Sequence, residues 1–396
     1  MSQATFYWHN GRSLGHTYES AKLIRAVLDE APELRVSAVT GAFRGIETLP
    51  PACDLFKVPG FRNFDGTPDY RPEALLDLPY GDLLGLRSRL ISEYAQRVRP
   101  DVFVVNHELR GYEGELVETL SALPPSTLRV LTLRGVLFDV PNTKAEFFEG
   151  DSARFLLDHY DRIHVNIDPD VFDLADYYGV PSEIADLLHY AGYPDDPYRL
   201  SKDDARQRVG VTGDGKVMVV AMGGGQGAWH LWQEFFTALS TLRRVGQVLV
   251  VPGPYLEVEH QAALDALARA DGRVRVLRRV ADLKPLMCAA DLFVGAAGAS
   301  TISEVLATGV NALLVARQQV EKEQEIHSQL LAGRGLVRAL RLTEWTSRRL
   351  REDLAEALEN PIVGTLPPLL GGASRSARML VGAFREQHST THAGTR

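Results

Sequence analysis

Short apolar runs rich in β-branched residues alternate along the chain with longer amphipathic stretches. This alternation is typical of βαβ units and predicts parallel sheets covered by helices. In the first half the predicted strands are Thr5–Trp8, Arg35–Thr40, Val102–Asn106, Leu128–Leu133 and Arg162–Asn166. In the second half they are Lys216–Met222, Gln247–Val251, Arg273–Leu277, Leu292–Gly295 and Ala312–Ala316. The pattern therefore predicts two doubly wound α/β domains in series, facing each other across a cleft.

Helical periodicity occupies many of the intervals between these strands. The predicted helices are Leu83–Val98, one directly after Gly227, Val258–Arg269, Lys284–Ala289, Thr301–Thr308, Glu323–Ala332, Trp345–Glu359 and Ser374–Gln387. We expect the last nine residues to be disordered. A stretch rich in turn formers, 191–198, separates the two groups of strands. The predicted domains are 1–193, 194–373, and a terminal helix and tail at 374–396 that can pack back on the first domain.

Composition narrows the class of protein and of partner. At 396 residues the chain is longer than one hydrophobic core usually organises. Its formal net charge of −8 argues against nucleic acid as a partner, because phosphate backbones select basic surfaces. Only two cysteines occur, so we expect no disulfide framework and a cytoplasmic compartment. The N-terminus lacks a signal-peptide pattern and no apolar run reaches the ~20 residues that span a bilayer, while peripheral contact with the inner membrane face stays open.

The strongest local feature is the strand at Lys216–Met222 running into Gly223-Gly224-Gly225-Gln226-Gly227 and then into a helix. Glycines let the backbone turn tightly and bring a ligand close to main-chain N–H groups. The positive end of the following helix dipole points to the same place. This arrangement suits a diphosphate. A tight turn whose glycines serve conformation alone explains the same residues.

A second strand-to-helix loop of small residues runs from Gly295 to Glu304. In an open α/β sheet, ligands bind beyond the carboxyl ends of the strands, where two such loops can face one pocket. Thr301 and Glu304 have the spacing of a capping box, which gives Glu304 a structural interpretation. The functional interpretation makes Glu304 the acceptor of hydrogen bonds from two ribose hydroxyls.

Histidines mark the corresponding loops of the first half. His16 follows Gly15 between the first strand and its helix. It is a candidate general base for an acceptor hydroxyl, or else a helix-start residue satisfied by hydrogen bonds. His107 and Glu108 follow the strand that ends at Asn106, on the same side of the sheet. Either can contact an acceptor or assist the base, and an ordinary loop role explains them equally well.

Metal-binding patterns are weak. Asp168-Pro169-Asp170 superficially resembles an Asp-x-Asp metal motif, but the acidic residues that follow it favour helix capping. No His/Cys cluster has zinc spacing, and no GxxxxGK[ST] phosphate loop is present. We predict no metal site and no required cofactor.

The second half resembles the nucleotide-binding domain of the family-28 glycosyltransferases. The matching segments are Gly223 to Ala228, Ala290 to Val294, Ala297 to Glu304 and Gln318 through Gln324. The whole chain is similar to a bacterial group of predicted glycosyltransferases. The segments that carry this second likeness are Gly15-His16, 106–108, Leu133-Arg134, 160–163, 168–173 and 191–193. The resemblance implies a GT-B fold of two Rossmann-like domains.

The resemblance also implies roles for individual residues. The turn Gly223–Gly227 would meet the diphosphate and sugar, and the base would face the backbone of Val280. Glu304 would hold the ribose, and Gln324 would contact the donor sugar. The preceding glutamine of the family's murein enzymes is Glu323 here, so the donor sugar is not identified. Ala299, Ser300 and Thr301 would line the diphosphate, and Gly298 is a further donor-binding candidate.

The same resemblance places the acceptor on the N-terminal domain. Gly15 and His16 match a glycine-histidine pair of the family's acceptor loop, with Arg134 as a further acceptor-side candidate. The predicted activity is transfer of a sugar from a nucleoside diphosphate, UDP favoured, to an unidentified hydroxyl acceptor, with inversion and without a metal. Two alternatives stay open: a nucleotide-sugar 2-epimerase on the same fold, and a non-catalytic glycosyltransferase-like partner subunit.

Overall fold

The structure is a computed structural model that describes residues 2–9, 14–62, 71–72, 78–317, 322–362 and 368–393. The chain divides into two compact units. The first contains Met1–Asp196 and Gly371–Arg396, and the second contains Pro197–Leu370. In the described ranges, no helix combines the length and apolarity needed to cross a membrane.

The first unit is built on a parallel sheet with helices between its strands. The strands of this sheet are β1 (Gln3–Trp8), β2 (Arg35–Thr40), β3 (Cys53–Lys57), β6 (Val102–Asn106), β7 (Leu128–Arg134), β8 (Arg162–Asn166) and β9 (Leu188–Tyr190). Their spatial order is β3-β2-β1-β6-β7-β8-β9. A separate antiparallel pair is formed by β4 (Phe61–Arg62) and β5 (Arg71–Pro72). The central strands are buried and apolar, as is usual when helices cover both faces.

Helices of the first unit pack on this sheet. They are α1 (Gly15–Glu30), α2 (Tyr80–Val98), α3 (Val117–Ala122), α4 (Val140–Thr143), α5 (Gly150–His159), α6 (Leu174–Tyr178), α7 (Ser182–Ala185) and α15 (Gly372–Ala393), with 3-10 turns at Ile46–Thr48 and Tyr112–Gly114 and a π turn at Lys144–Phe148. The C-terminal helix α15 belongs to this core, because Leu380 and Phe384 pack in one buried cluster with Ile24 of α1 and Phe6 of β1.

The second unit has a six-stranded parallel sheet. Its strands are β10 (Lys216–Ala221), β11 (Val245–Val251), β12 (Val274–Val276), β13 (Leu292–Ala296), β14 (Ala312–Val315) and β15 (Arg338–Leu340). Its helices are α8 (Lys202–Val209), α9 (Trp229–Leu239), α10 (Val258–Ala270), α11 (Lys284–Ala289), α12 (Ala299–Thr308), α13 (Glu323–Gly333) and α14 (Ser347–Glu359), with a 3-10 turn at Leu342–Glu344. The spatial order β12-β11-β10-β13-β14-β15 reverses direction between β10 and β13. This reversal is the position where open α/β sheets bind ligands.

The predicted α/β class is confirmed, and the sequence pattern missed three strands of the two parallel sheets. These are β3, β9 and β15, and all three lie at edges of their sheets. An edge strand has a neighbouring strand on one side only. None of the five residues of β3 is buried. A pattern based on buried apolar runs therefore does not detect them.

The prediction of a disordered tail is wrong for residues 388–393, because α15 continues to Ala393. His388 anchors this last part of the helix. Its Nδ1 lies 3.0 Å from the carbonyl oxygen of Phe384, and its Nε2 lies 3.4 Å from Asp101 Oδ1. The helix is thus held by the first unit beyond the point where its apolar periodicity ends.

Candidate functional site

The glycine turn after β10 lies at the carboxyl edge of the second unit's sheet. Gly223, Gly225 and Gly227 have φ values of 63°, 94° and 64°. These values lie in the left-handed region, where a side chain is strained, so the glycines are required by the backbone itself. Gly223 and Gly227 are exposed, whereas Gly225 is buried. The turn is therefore open to a ligand at its ends and packed at its centre.

The centre of the turn packs against the segment that follows β11. A Cβ on Gly225 would lie 2.4 Å from the carbonyl oxygen of Pro252 and 2.9 Å from the nitrogen of Leu256. The N–H of Tyr255 donates to the carbonyl oxygen of Gly224 at 2.8 Å. Two loops from adjacent strands thus fix the turn through backbone contacts that leave no room for side chains.

A carboxylate already accepts from one amide of the turn. The N–H of Gly227 donates to Glu257 Oε1 at 2.8 Å. Burial opposes ionisation of Glu257, but the hydrogen bonds from Gly227 and from its own backbone outweigh burial and lower its pKa. His260 lies 3.2 Å from the other carboxylate oxygen and stacks on Trp229. This amide is therefore oriented toward a negative charge, that of Glu257.

The second glycine loop lies beside the first, because β10 and β13 are neighbours with Ala221 opposite Gly295. Gly298 is the N-cap of α12, and its carbonyl oxygen accepts the first helical hydrogen bond, from Ile302, at 2.9 Å. Thr301 is consequently inside the helix rather than at its cap. The capping-box interpretation of Thr301 and Glu304 is wrong, since the helix begins two residues before the predicted start.

The start of α12 carries an unpaired hydroxyl. Ser300 Oγ is buried and has no hydrogen-bond partner among the described residues. An unpaired buried polar atom costs free energy unless a ligand or water satisfies it. Gly298, Ala299 and Thr301 are partly exposed beside it. The helix N-terminus and this hydroxyl together form a place that suits an anion.

The remaining donor-side candidates follow strands of the same sheet. Gln324 lies in the first turn of α13, and its Oε1 accepts from the N–H of Arg317 at 2.9 Å. Glu323 is buried at the start of that helix, with 6% of its surface exposed. Val280 lies four residues beyond β12 and is partly exposed. Part of the matching segment, 318–321, lies outside the described residues.

Sequence reasoning missed Arg317, which directly follows the end of β14. Its Nη1 donates to the carbonyl oxygen of Met222 at 2.7 Å, and its Nη2 donates to that of Gln226. Its backbone holds Gln324, so one residue joins the glycine turn to a predicted sugar contact. No sequence motif predicts this role, because the hydrogen-bond partners of Arg317 are backbone carbonyls 95 and 91 positions away.

In the first unit, the structure brings three of the predicted acceptor-side residues together. His16, in the first turn of α1, lies next to the carboxyl ends of β1, β6 and β7. Its Nδ1 lies 2.8 Å from Asn106 Oδ1, and its Nε2 lies 3.4 Å from Nη2 of Arg134. The ring of His107 is 5.3 Å from that of His16 between centroids. Gly11, Arg12 and Ser13 of this loop lie outside the described residues.

Hydrogen bonding selects one tautomer of His16. Asn106 donates through Nδ2 to Ser20 Oγ at 3.3 Å, so its Oδ1 is the acceptor for His16 Nδ1–H. Nε2 then keeps its lone pair. Burial and the Arg134 cation lower the pKa of His16 to about 3, and the Asn106 hydrogen bond offsets only part of this. The ring is therefore neutral, with its unprotonated nitrogen toward Arg134.

His107 is held in a strained conformation. Its φ is 70°, which is uncommon for a residue with a side chain, and such strain clusters at functional sites. Its Nδ1 is buried without a hydrogen-bond partner among the described residues. Burial, Arg134 and His16 lower its pKa. Glu108 approaches this cluster through its backbone, donating to the carbonyl oxygen of Asn106 at 2.9 Å.

The acidic segment 168–173 is used for capping and turns, as predicted. Asp173 is the N-cap of α6 and accepts from the N–H of Asp176 at 3.1 Å. Asp168 Oδ1 accepts from the N–H of Asp170 at 2.9 Å. Within the described ranges, no three His, Cys, Asp or Glu side chains are arranged to hold a metal.

Comparison with known proteins agrees with the fold and with the glycine loops. Residues 218–363 match the model of the glycosyltransferase family 28 C-terminal domain. The likeness to the family 28 glycosyltransferases thus lies in the second unit, Pro197–Leu370. The matched domain contains both glycine loops, Arg317 and Gln324.

Curated relatives carry the name UDP-N-acetylglucosamine–N-acetylmuramyl-(pentapeptide) pyrophosphoryl-undecaprenol N-acetylglucosamine transferase. The one from Caldanaerobacter subterraneus is 26% identical over 166 residues, which are 41% of this chain and 45% of that protein. The chain thus spans under half the length of this relative. The one from Methylobacterium sp. is 27% identical over 371 residues, 90% of this chain and 84% of that protein.

Solved structures share the fold over nearly the whole chain. MurG of Acinetobacter baumannii has a TM-score of 0.58 at 16% identity, covering 98% of this chain and 100% of that one. MnaA of S. aureus, solved with UDP, has a TM-score of 0.64 at 10% identity, covering 98% of each chain. At these identities the likeness shows the fold alone, which is the GT-B type that was predicted.

Proposed function

We propose that this protein transfers a sugar from a nucleoside diphosphate, UDP favoured, to a hydroxyl acceptor, with inversion at the anomeric carbon. The observation that carries the proposal is the pair of adjacent loops in the family 28 domain. The glycine turn is exposed at Gly223 and Gly227, and the start of α12 leaves the buried Ser300 hydroxyl unpaired. Both features favour a diphosphate beside these loops.

Two helix N-termini support departure of the diphosphate. α9 follows the glycine turn, and α12 starts at the second loop. Their positive dipole ends and the amides around them stabilise the charge that develops when the bond from the anomeric carbon to the diphosphate breaks. Transfer on this arrangement needs no metal. Glu304 would take the ribose hydroxyls and Gln324 the donor sugar.

His16 would act on the acceptor. The acceptor oxygen attacks the anomeric carbon, and its proton passes to His16 Nε2, the ring nitrogen that carries no hydrogen and now faces Nη2 of Arg134. The Arg134 cation, 3.4 Å away, opposes that protonation. Glu19 Oε1 lies 3.6 Å from Arg134 Nε and already offsets part of this charge. An anionic group bound nearby would add to that effect and raise the pKa of His16 further.

Thermal-shift measurements with UDP, GDP, ADP and TDP test the donor half, since a bound nucleotide stabilises the folded state by mass action. We expect one of them to raise the melting temperature, and Gly224→Asp to remove the effect by charge repulsion and by crowding Tyr255, whose ring is 3.2 Å from the added Cβ. Full nucleotide affinity in that variant would contradict this placement.

Product analysis tests the reaction. A transferase consumes nucleotide sugar only with an acceptor, and lipid-linked sugars, polymer precursors and small secondary metabolites form the arms of the screen. Conversion of the nucleotide sugar to its epimer without acceptor would instead make the protein a 2-epimerase, the activity of some proteins with this fold. Absence of both nucleotide binding and hydrolysis would favour a non-catalytic partner subunit.

A further inference from the structure

Arg317 is a half-buried cation placed beside the glycine turn. A Cβ built on Gly223 would lie 3.6 Å from its Nη1, and the same nitrogen donates to the carbonyl oxygen of Met222 at 2.7 Å. In the described part of the chain, no carboxylate comes within ion-pair distance of the guanidinium. Its nitrogens are satisfied by backbone carbonyls before and within the turn.

This environment is costly for a charge. Burial lowers the pKa of Arg317, and Glu257 offsets that only in part. Buried charges in proteins are normally paired, because neutral partners compensate poorly for lost hydration. Carbonyl oxygens fix the guanidinium in place, and the Glu257 carboxylate neutralises its positive charge only in part. A ligand with two phosphates at the turn would supply the missing negative charge.

The two hydrogen bonds also fix the shape of the turn. They hold the carbonyls of Met222 and Gln226, which bracket the three consecutive glycines. Glycine backbones are free to move in the absence of such ties. Arg317 therefore lowers the number of conformations that the turn samples before it binds a ligand.

We infer that Arg317 is the positioning residue of the glycine turn, and that its charge makes this site select a nucleoside diphosphate over the uncharged nucleoside. The inference rests on the proposed function, and it assigns a role to a residue that the predicted donor contacts do not include.

The chain offers a matched control. Arg275, in β12 of the same unit, also donates to two consecutive backbone carbonyls, those of Val209 and Gly210 at the end of α8. Replacing it with methionine removes a similar structural tie away from the glycine turn. A purely structural role for Arg317 would make the two arginines behave alike.

The experiment measures dissociation constants by calorimetry for UDP with uridine, GDP with guanosine, ADP with adenosine and TDP with thymidine. For the pair that binds wild-type protein, we expect Arg317→Met to weaken the diphosphate about tenfold or more and the nucleoside less than about twofold. Arg317→Lys keeps the positive charge but loses the two guanidinium donors, Nη1 and Nη2. Its dissociation constant for the diphosphate should therefore lie between those of the wild type and Arg317→Met. Arg275→Met should change neither ligand's affinity.

Several outcomes would overturn the inference. One is an unchanged diphosphate affinity in Arg317→Met, and another is an equal loss for diphosphate and nucleoside. If Arg317→Met does not fold, Arg317→Gln takes its place, because glutamine removes the charge and keeps a hydrogen-bond donor; wild-type diphosphate affinity in Arg317→Gln then overturns the inference. These results differ from failure of the proposed function, in which wild-type protein itself binds none of the four diphosphates.

Discussion

Gly225→Ala tests whether the centre of the glycine turn is fixed by packing rather than by conformation alone. Alanine at a φ of 94° is strained by about 1–2 kcal/mol. Its Cβ would also lie 2.4 Å from the carbonyl oxygen of Pro252, which is backbone and cannot rotate away. Forcing an atom into such a space costs about 1–3 kcal/mol more. We therefore expect a total loss of roughly 2–5 kcal/mol in the free energy of unfolding.

Gly227→Ala is the matched control for this substitution. Gly227 has a φ of 64°, but a Cβ there would meet nothing within 4 Å. It should lose only the conformational part, about 1–2 kcal/mol. Gly298→Ala has neither a positive φ nor a close neighbour, so it should lose only the preference of an N-cap for glycine over alanine, about 0.5–1 kcal/mol. The three substitutions thus separate overlap from backbone strain in the same two loops.

Urea unfolding followed by tryptophan fluorescence is a suitable assay, because Trp229, Trp232 and Trp345 all belong to the second unit. Trp232 and Trp345 are buried in its core and will report its unfolding. We expect the urea midpoint to be highest for Gly298→Ala, lower for Gly227→Ala and lowest for Gly225→Ala. Equal midpoints for Gly225→Ala and Gly227→Ala would refute the packing argument.

Three further predictions concern the histidines of the first unit. His16→Ala should lower turnover by about 10²–10⁴-fold, and unchanged turnover would remove His16 from the mechanism. Asn106→Asp places a carboxylate about where Oδ1 now accepts from His16 Nδ1, 2.8 Å away. It should raise the pKa of His16, seen by NMR titration; an unmoved titration would contradict the assigned hydrogen bond. The pKa values of His16 and His164 are lowered to about 3 by burial. Their stabilising effect is full above the unfolded value of about 6.5 and is lost as pH falls toward 3. Going from about pH 7 to about pH 5 should remove roughly 2 kcal/mol for each, measured by urea unfolding. His164→Gln should weaken this pH dependence. Equal free energies of unfolding for the wild-type protein at both pH values would contradict the prediction.

The fold class followed from the periodicity of the chain. Central strands such as β6 and β10 are continuous apolar runs, because helices cover both of their faces. The edge strand β3 has no such run and was not predicted, although β2 pairs with it along its whole length. Its strand conformation comes from hydrogen bonds to a neighbour rather than from burial.

The glycine turn was evident locally, because positive φ values require glycine and several occur together. The start of α12 was not evident from the local sequence, since Gly298, Ala299 and Thr301 are all compatible with the first turn of a helix. Its N-cap is set by the extended backbone of Gly298, which has φ −71° and ψ 149° and lies two residues after the end of β13. Propensity alone does not choose among neighbouring starts.

The sequence by itself determined the two groups of strands, the glycine turn and the histidine after Gly15, since each depends on neighbours in the chain. Only the tertiary structure placed Asn106 and Arg134 against His16, from 90 and 118 positions away. It alone placed Arg317 beside the turn, through hydrogen bonds to carbonyl oxygens that every residue possesses. The physical reason is that parallel strands bring their carboxyl ends to one edge of the sheet. Residues distant in sequence meet there, and no local sequence pattern predicts their contacts.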